Sequence, residues 1–170
     1  MKRLLLLALF GPLLMSSCGT RLSKMTDKQK SERLATERGR VSEINQPVAK
    51  TQSYIAISQI LLDFAGGAAR DGDITGMSSL LDQYVTTIRA ARDTMLNSDR
   101  DPLRRPAGYK ELELALRDQI RRLQDMGVSL SSRERAAVTT ALEVATAVHE
   151  QIFRRLFPQN SQQVFLQLSS

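Results

Sequence analysis

From Ile74 to Met95 the residues Ile74, Met77, Leu81, Tyr84, Ile88, Ala91 and Met95 recur at alternating spacings of three and four without a miss. A helix advances about 100° per residue, so this spacing lines the side chains along one face. A strand, with its period of two, would scatter them over both faces of a sheet. A stripe this regular must be buried against other helices, and the chain supplies them. Tyr54, Ile57, Leu61, Phe64 and Ala68 form a second stripe, and Leu112, Leu116, Ile120 and Leu123 a third. Val138, Leu142, Ala145, His149, Ile152 and Leu156 form the fourth. Aromatics are only 5 % of the chain and Trp is absent, so aliphatic side chains and Met must fill the core.

Punctuation between the stripes sets the connections. Asp71-Gly72-Asp73 reads as a tight turn, with Gly72 in the left-handed position and Asp73 capping the next helix. Thr75, Met77 and Ser79 do not continue a calcium-loop ligand series after it. Gly66-Gly67 falls inside the second-stripe helix, where the small run from Ala65 to Ala69 predicts close approach of a neighbour. Gly127 is expected to end the helix that starts near Tyr109, and Ser131-Ser132-Arg133-Glu134 has the pattern of a capping box opening the next. Pro158 stops that last helix. The expected fold is all-α: an antiparallel four-helix bundle of two hairpins, 48–96 and 109–157, preceded by a partly helical tether. The link from Asn97 to Gly108, with Pro102 and Pro106, is the longest in the body; it reads as a functional loop or as a crossover spacer.

The N-terminus speaks to compartment. Lys2 and Arg3 precede an apolar run from Leu4 to Met15, then Ser16, Ser17 and Cys18. The run is shorter than the roughly 20 residues of a spanning helix and fits a secretion signal. Met15-Ser16-Ser17-Cys18 resembles the lipobox of bacterial lipoproteins, with Met15 where Leu is usual and Ser17 where Gly or Ala is commoner. The resemblance implies diacylglycerol on the Cys18 sulfur, cleavage before Cys18 and acylation of the new amine. An ordinary secreted protein cut nearby, for instance after Gly19, is the alternative. The division that follows is a signal peptide over 1–17, a lipidated N-terminus and basic tether over 18–46, the bundle over 47–157 and a flexible tail over 158–170. A helix is expected over about 25–45 of the tether, whose apolar stripe is thin; as a coil the tether reaches ~30 Å. Cys18 is the single cysteine, which excludes an intramolecular disulfide. With Gly19 rather than Asp after Cys18, the expected location in a Gram-negative host is the outer membrane, facing the periplasm.

The formal charge of +6 would favour a polyanion partner, but its distribution does not. Lys2 and Arg3 belong to the leader, and residues 19–46 carry seven basic and four acidic groups. Residues 47–170 carry 15 basic against 14 acidic groups, so the body is nearly neutral and nucleic acid is not an expected partner. The basic excess beside the lipid reads either as contact with anionic headgroups or as a solvated tether.

Most arginines are accounted for by helix-surface pairing at a spacing of four: Glu113 with Arg117, Asp118 with Arg122, Glu150 with Arg154, Arg121 with Asp125 and Arg89 with Asp93. Arg100, Arg104 and Arg105 in the long link are left over and form the candidate binding surface. His149 is the single histidine, and the chain has no HExxH or ExxH pattern, so no metal site is expected. Haem held non-covalently between His149 and one of Met25, Met77, Met95 and Met126 is the sharper alternative; otherwise no cofactor is expected. No Gly-x-Ser-x-Gly occurs, and no carboxylate falls on an apolar face, so no catalytic residues are assigned. The expected function is a non-catalytic envelope adaptor, scaffold or accessory subunit, anchored through lipid on Cys18 and partnered by another envelope protein. A cofactor or lipid carrier and an enzyme of unrecognised type are its rivals.

Overall fold

In a computed structural model, residues 24–132 and 134–158 are described. They form five helices, α1 (Asp27–Glu43), α2 (Pro47–Arg70), α3 (Ile74–Leu96), α4 (Tyr109–Val128) and α5 (Ala136–Leu156), with no strand among the described residues. The leader, Cys18 and the tail from Gln159 lie outside them.

The α3 stripe is buried as its spacing predicts, from Met77 to Met95, with Ile74 half-buried at the entrance. It packs on α2 across the turn at Gly72, whose φ of 75° is the left-handed conformation expected there. Asp73 Oδ1 accepts from the Gly76 amide at 2.8 Å and caps α3. Helices α4 and α5 pair likewise, and contacts between α3 and α5 and between α2 and α4 join the two hairpins. Ser58 with Gln119 and Asp63 with Arg122 rise together along α2 and α4, so these two helices run parallel.

Three expectations about helix ends and faces need correction. Gly127 lies inside α4, which runs on to Val128 and ends at Ser129 in right-handed geometry; no left-handed residue is used. Helix α5 begins at Ala136, one turn after the predicted box. The Glu134 carboxylate accepts from the Ser131 amide and hydroxyl, bonds that hold its pKa below the usual range, but they close a separate turn. The inner face of α5 is Val138, Ala141, Ala145, Val148 and Ile152, leaving Leu142, His149 and Leu156 half-buried. Both readings have helical period. Ala141 and Val148 tip the choice because they bring α5 close to its neighbours without a polar ring inside.

Helix α2 is central and buried over more than one face. Besides Ile57 and Leu61, it buries Thr51, Ser53, Ala56, Ser58, Ile60 and Leu62. Ile60 is fully buried yet outside the apolar cluster shared by α2 to α5. It lies on the same face as Asp63, where α1 packs. The expected tether helix thus exists and folds back along α2 through the short link 44–46. None of its residues is fully buried; Leu34 and Val41 are half-buried against the core.

Candidate functional site

The link between α3 and α4 is braced at both ends. The Tyr109 hydroxyl, buried, donates to the Met95 carbonyl at 2.7 Å and ties the start of α4 to the end of α3. Gly108 has a φ of 88°, and a Cβ there would fall 2.7 Å from Met95 Sδ, so this corner accepts only glycine. The Glu111 carboxylate accepts from the Gly108 amide. Within the loop, Asp101 Oδ1 accepts from the Leu103 amide at 2.9 Å, and the Asp101 carbonyl from the Arg105 amide at 2.8 Å. These bonds turn the chain outward at Leu103, which is 64 % exposed.

The three arginines expected to form a surface are presented unequally. The Arg104 side chain is 87 % exposed and only loosely paired with Asp101, at 3.6 Å. Arg105 is exposed. Arg100 is half-buried, and its Nε is buried with no hydrogen-bond partner among the described residues.

Helix directions place this loop within the molecule. Lys30 of α1 meets Asp63 of α2, which is also 3.4 Å from Arg122 of α4. Asp63 is seven residues before the end of α2, so the start of α1 belongs to the end that carries the α2–α3 turn and the α4–α5 corner. The arginine link lies at the opposite end, together with the α1–α2 link and the end of α5. At 1.5 Å per residue the two ends are ~35 Å apart.

Arginine pairing within helices is partly redrawn by contacts between them. Arg117 pairs with Glu113 and Arg154 with Glu150, as spaced. Arg122 turns to Asp63, Arg121 to Asp118 at 3.8 Å, and Asp93 takes Arg92 at 2.8 Å.

One carboxylate does fall on a buried face, against expectation. Glu113 is 3 % exposed at the seam of α4 and α5; its Oε1 accepts from Arg117 Nε at 3.0 Å and lies 3.1 Å from His149 Nε2. It flanks Leu112 rather than replacing it, so the apolar spacing gives no sign of it. The His149 ring also stacks near Phe153, with centroids 6.0 Å apart. Met77 and Met95 are fully buried in the core, and a haem on His149 would have to displace the Glu113 contact. Among the described residues no three His, Cys, Asp or Glu side chains converge as a metal would require.

A buried polar chain crosses the middle. Tyr84 Oη donates to Gln119 Oε1 at 3.2 Å, Gln119 Nε2 to Ser58 Oγ at 2.8 Å, and Ser58 to the Ile55 carbonyl at 2.9 Å. Burial pushes the Tyr84 phenol above the usual tyrosine range, so it stays a donor. The chain fixes the register of α2, α3 and α4, and its three side chains are buried.

At the α4–α5 corner, an open groove of about 460 Å³ is lined by Leu123, Gly127, Val128 and Leu142 together with the polar Gln124, Arg135 and Thr139. Val128 is 82 % exposed beside it. No helix among the described residues is long and apolar enough to cross a membrane. No family model, curated protein or solved structure matches this chain.

Proposed function

We propose that this chain is a lipid-anchored envelope protein, held to the membrane through Cys18, that acts by binding rather than catalysis. In this reading α2 to α5 are a four-helix bundle of two antiparallel hairpins, and α1 is the part of the tether that docks on the bundle. The observation that carries it is polarity along the long axis. The chain leaves toward Cys18 at one end, and a braced loop offers Leu103, Arg104 and Arg105 at the other. An adaptor needs that arrangement: the anchor must not compete with the partner for the same face. Bracing also lowers the ordering cost a loose loop would bear on binding.

Two changes test the reading together. Cys18→Ala should abolish incorporation of labelled palmitate and leave precursor or a soluble form. Arg104→Ala with Arg105→Ala should leave palmitate incorporation intact and lower co-purification of partner from gently solubilised membranes. A Cys18→Ala protein that stays membrane-bound at mature size defeats the anchor. Unchanged co-purification of a reproducible partner defeats the arginine loop as its docking face.

A further inference from the structure

We propose that the α4–α5 corner rests on the bilayer interface, with Val128 and the adjoining groove in the headgroup region and the arginine loop pointing away. This inference rests on the lipid-anchored reading. The described chain begins at Lys24, at the end of the molecule that carries this corner. Cys18 is six residues earlier, and fully extended residues span at most ~3.3–3.6 Å each, so the lipid is within ~22 Å of Lys24. The opposite end is farther than that along the helices, ~35 Å.

Tethering alone would let any flank touch the membrane; the corner's surface singles it out. Val128 ends α4 almost wholly in water, and the half-buried Gly127 and Leu142 continue its apolar surface into the groove, between the exposed Gln124 and Thr139. A water-exposed aliphatic side chain beside an apolar groove gains by entering the acyl boundary. Arg135, at the rim, has Nη2 on the Leu130 carbonyl at 2.9 Å, which keeps a guanidinium beside the groove where a headgroup phosphate could meet it. Over residues 121–135 Asp125 and Glu134 only partly offset Arg121, Arg122, Arg133 and Arg135, so a zwitterionic surface is the stricter test of apolar contact. Asp71 and Asp73, exposed in the α2–α3 turn, oppose burial of the whole end. The body therefore tilts onto the α4–α5 side.

The chain has no tryptophan, so one introduced indole reports its surroundings alone. The experiment uses full-length, lipidated Val128→Trp and Leu103→Trp proteins in phosphatidylcholine vesicles with brominated acyl chains; circular dichroism confirms equal helicity. Both proteins should float with the vesicles. Val128→Trp should blue-shift and lose at least half its emission to bromine, whereas Leu103→Trp should keep the spectrum it has without vesicles. Vesicle-bound protein with neither tryptophan quenched would overturn the corner contact while leaving the anchor standing. Quenching at Leu103, alone or with Val128, would mean an inverted or flat-lying body and would also overturn it. Protein that fails to float defeats the anchor, and this proposal with it.

Discussion

Lys30 Nζ lies 2.6 Å from Asp63 Oδ2, joining the first helix to the second across 33 residues of sequence. The same ammonium is 3.1 Å from Asp27 within its own helix, and Asp63 also receives Arg122. One carboxylate thereby ties α1, α2 and α4 together at the end where α1 begins. The Lys30 side chain is 13 % exposed, so water screens this pair less than an open surface pair.

Alkaline denaturation tests that fastening. The Asp63 hydrogen bond raises the Lys30 pKa above its ordinary 10.5; desolvation opposes the shift, and Asp27 adds to it. A raised lysine pKa means that the folded state holds the proton more tightly. Its stabilisation is complete below 10.5 and is lost as pH climbs through the raised folded value. Lys30→Met should cost about 0.5–1 kcal/mol near neutral pH. The gap in urea midpoint between the two proteins should close only above 10.5. A gap unchanged through that range would mean that the lysine stem, not its charge, holds α1.

Core and loop should respond oppositely to truncation. Ile88 is 1 % exposed at the centre of the α3 stripe, and Ile88→Ala should cost ~2–5 kcal/mol. Arg104→Ala with Arg105→Ala should change stability by less than ~0.5 kcal/mol, because neither side chain is packed. A melting shift for the double variant as large as that for Ile88→Ala would make these arginines structural.

The glycines divide by their neighbours. A Cβ on Gly66 meets only Arg70 Nη1 at 3.5 Å and Met126 Cε at 3.8 Å, and one on Gly67 only Arg70 Nη2 at 3.9 Å. No neighbouring backbone comes close, so the expected tight helix approach is not what keeps these residues small. Gly66→Ala and Gly67→Ala should each raise stability by ~0.5–1 kcal/mol through helix propensity. Gly108→Ala should lower it by more than ~1 kcal/mol, since it strains the backbone and collides with Met95. Thermal melts of the three variants decide the matter. A Gly67→Ala loss of stability would show that the site is needed open.

What could be read ahead of the structure follows from how each face is built. Helix α3 has one apolar face and no competitor, so its buried residues are those its spacing names. Helix α5 has two overlapping candidates sharing Val138, Ala145 and Ile152, and only packing chooses Ala141 and Val148 over Leu142 and His149. The docking face for α1 escaped because Ser53 and Ala56 carry little hydrophobic signal and Ile60 stands beside them as the one strongly apolar residue. Charged partners were legible where both lie on one helix, as with Glu150 and Arg154, and not where helices compete, as with Asp63 and Arg122. The candidate loop was visible as leftover arginines; its bracing by Tyr109 and Met95 joins two helices and leaves no local pattern.

If the chain is anchored through Cys18 as proposed, the fold-back of α1 also sets a limit on reach. Were residues 19–46 an open coil, a partner loop at the far end of the body would sweep a wide, deep volume above the membrane. With α1 laid along α2, only the residues between Cys18 and Thr26 would separate anchor from body, and the loop would be confined to a thin layer whose height is set by one helix length, ~35 Å. A partner fixed within that layer would be met at a higher local concentration, and one beyond it would not be met. A change that frees α1, such as loss of the Lys30–Asp63 pair, would then alter which partners are met without touching a single contact residue.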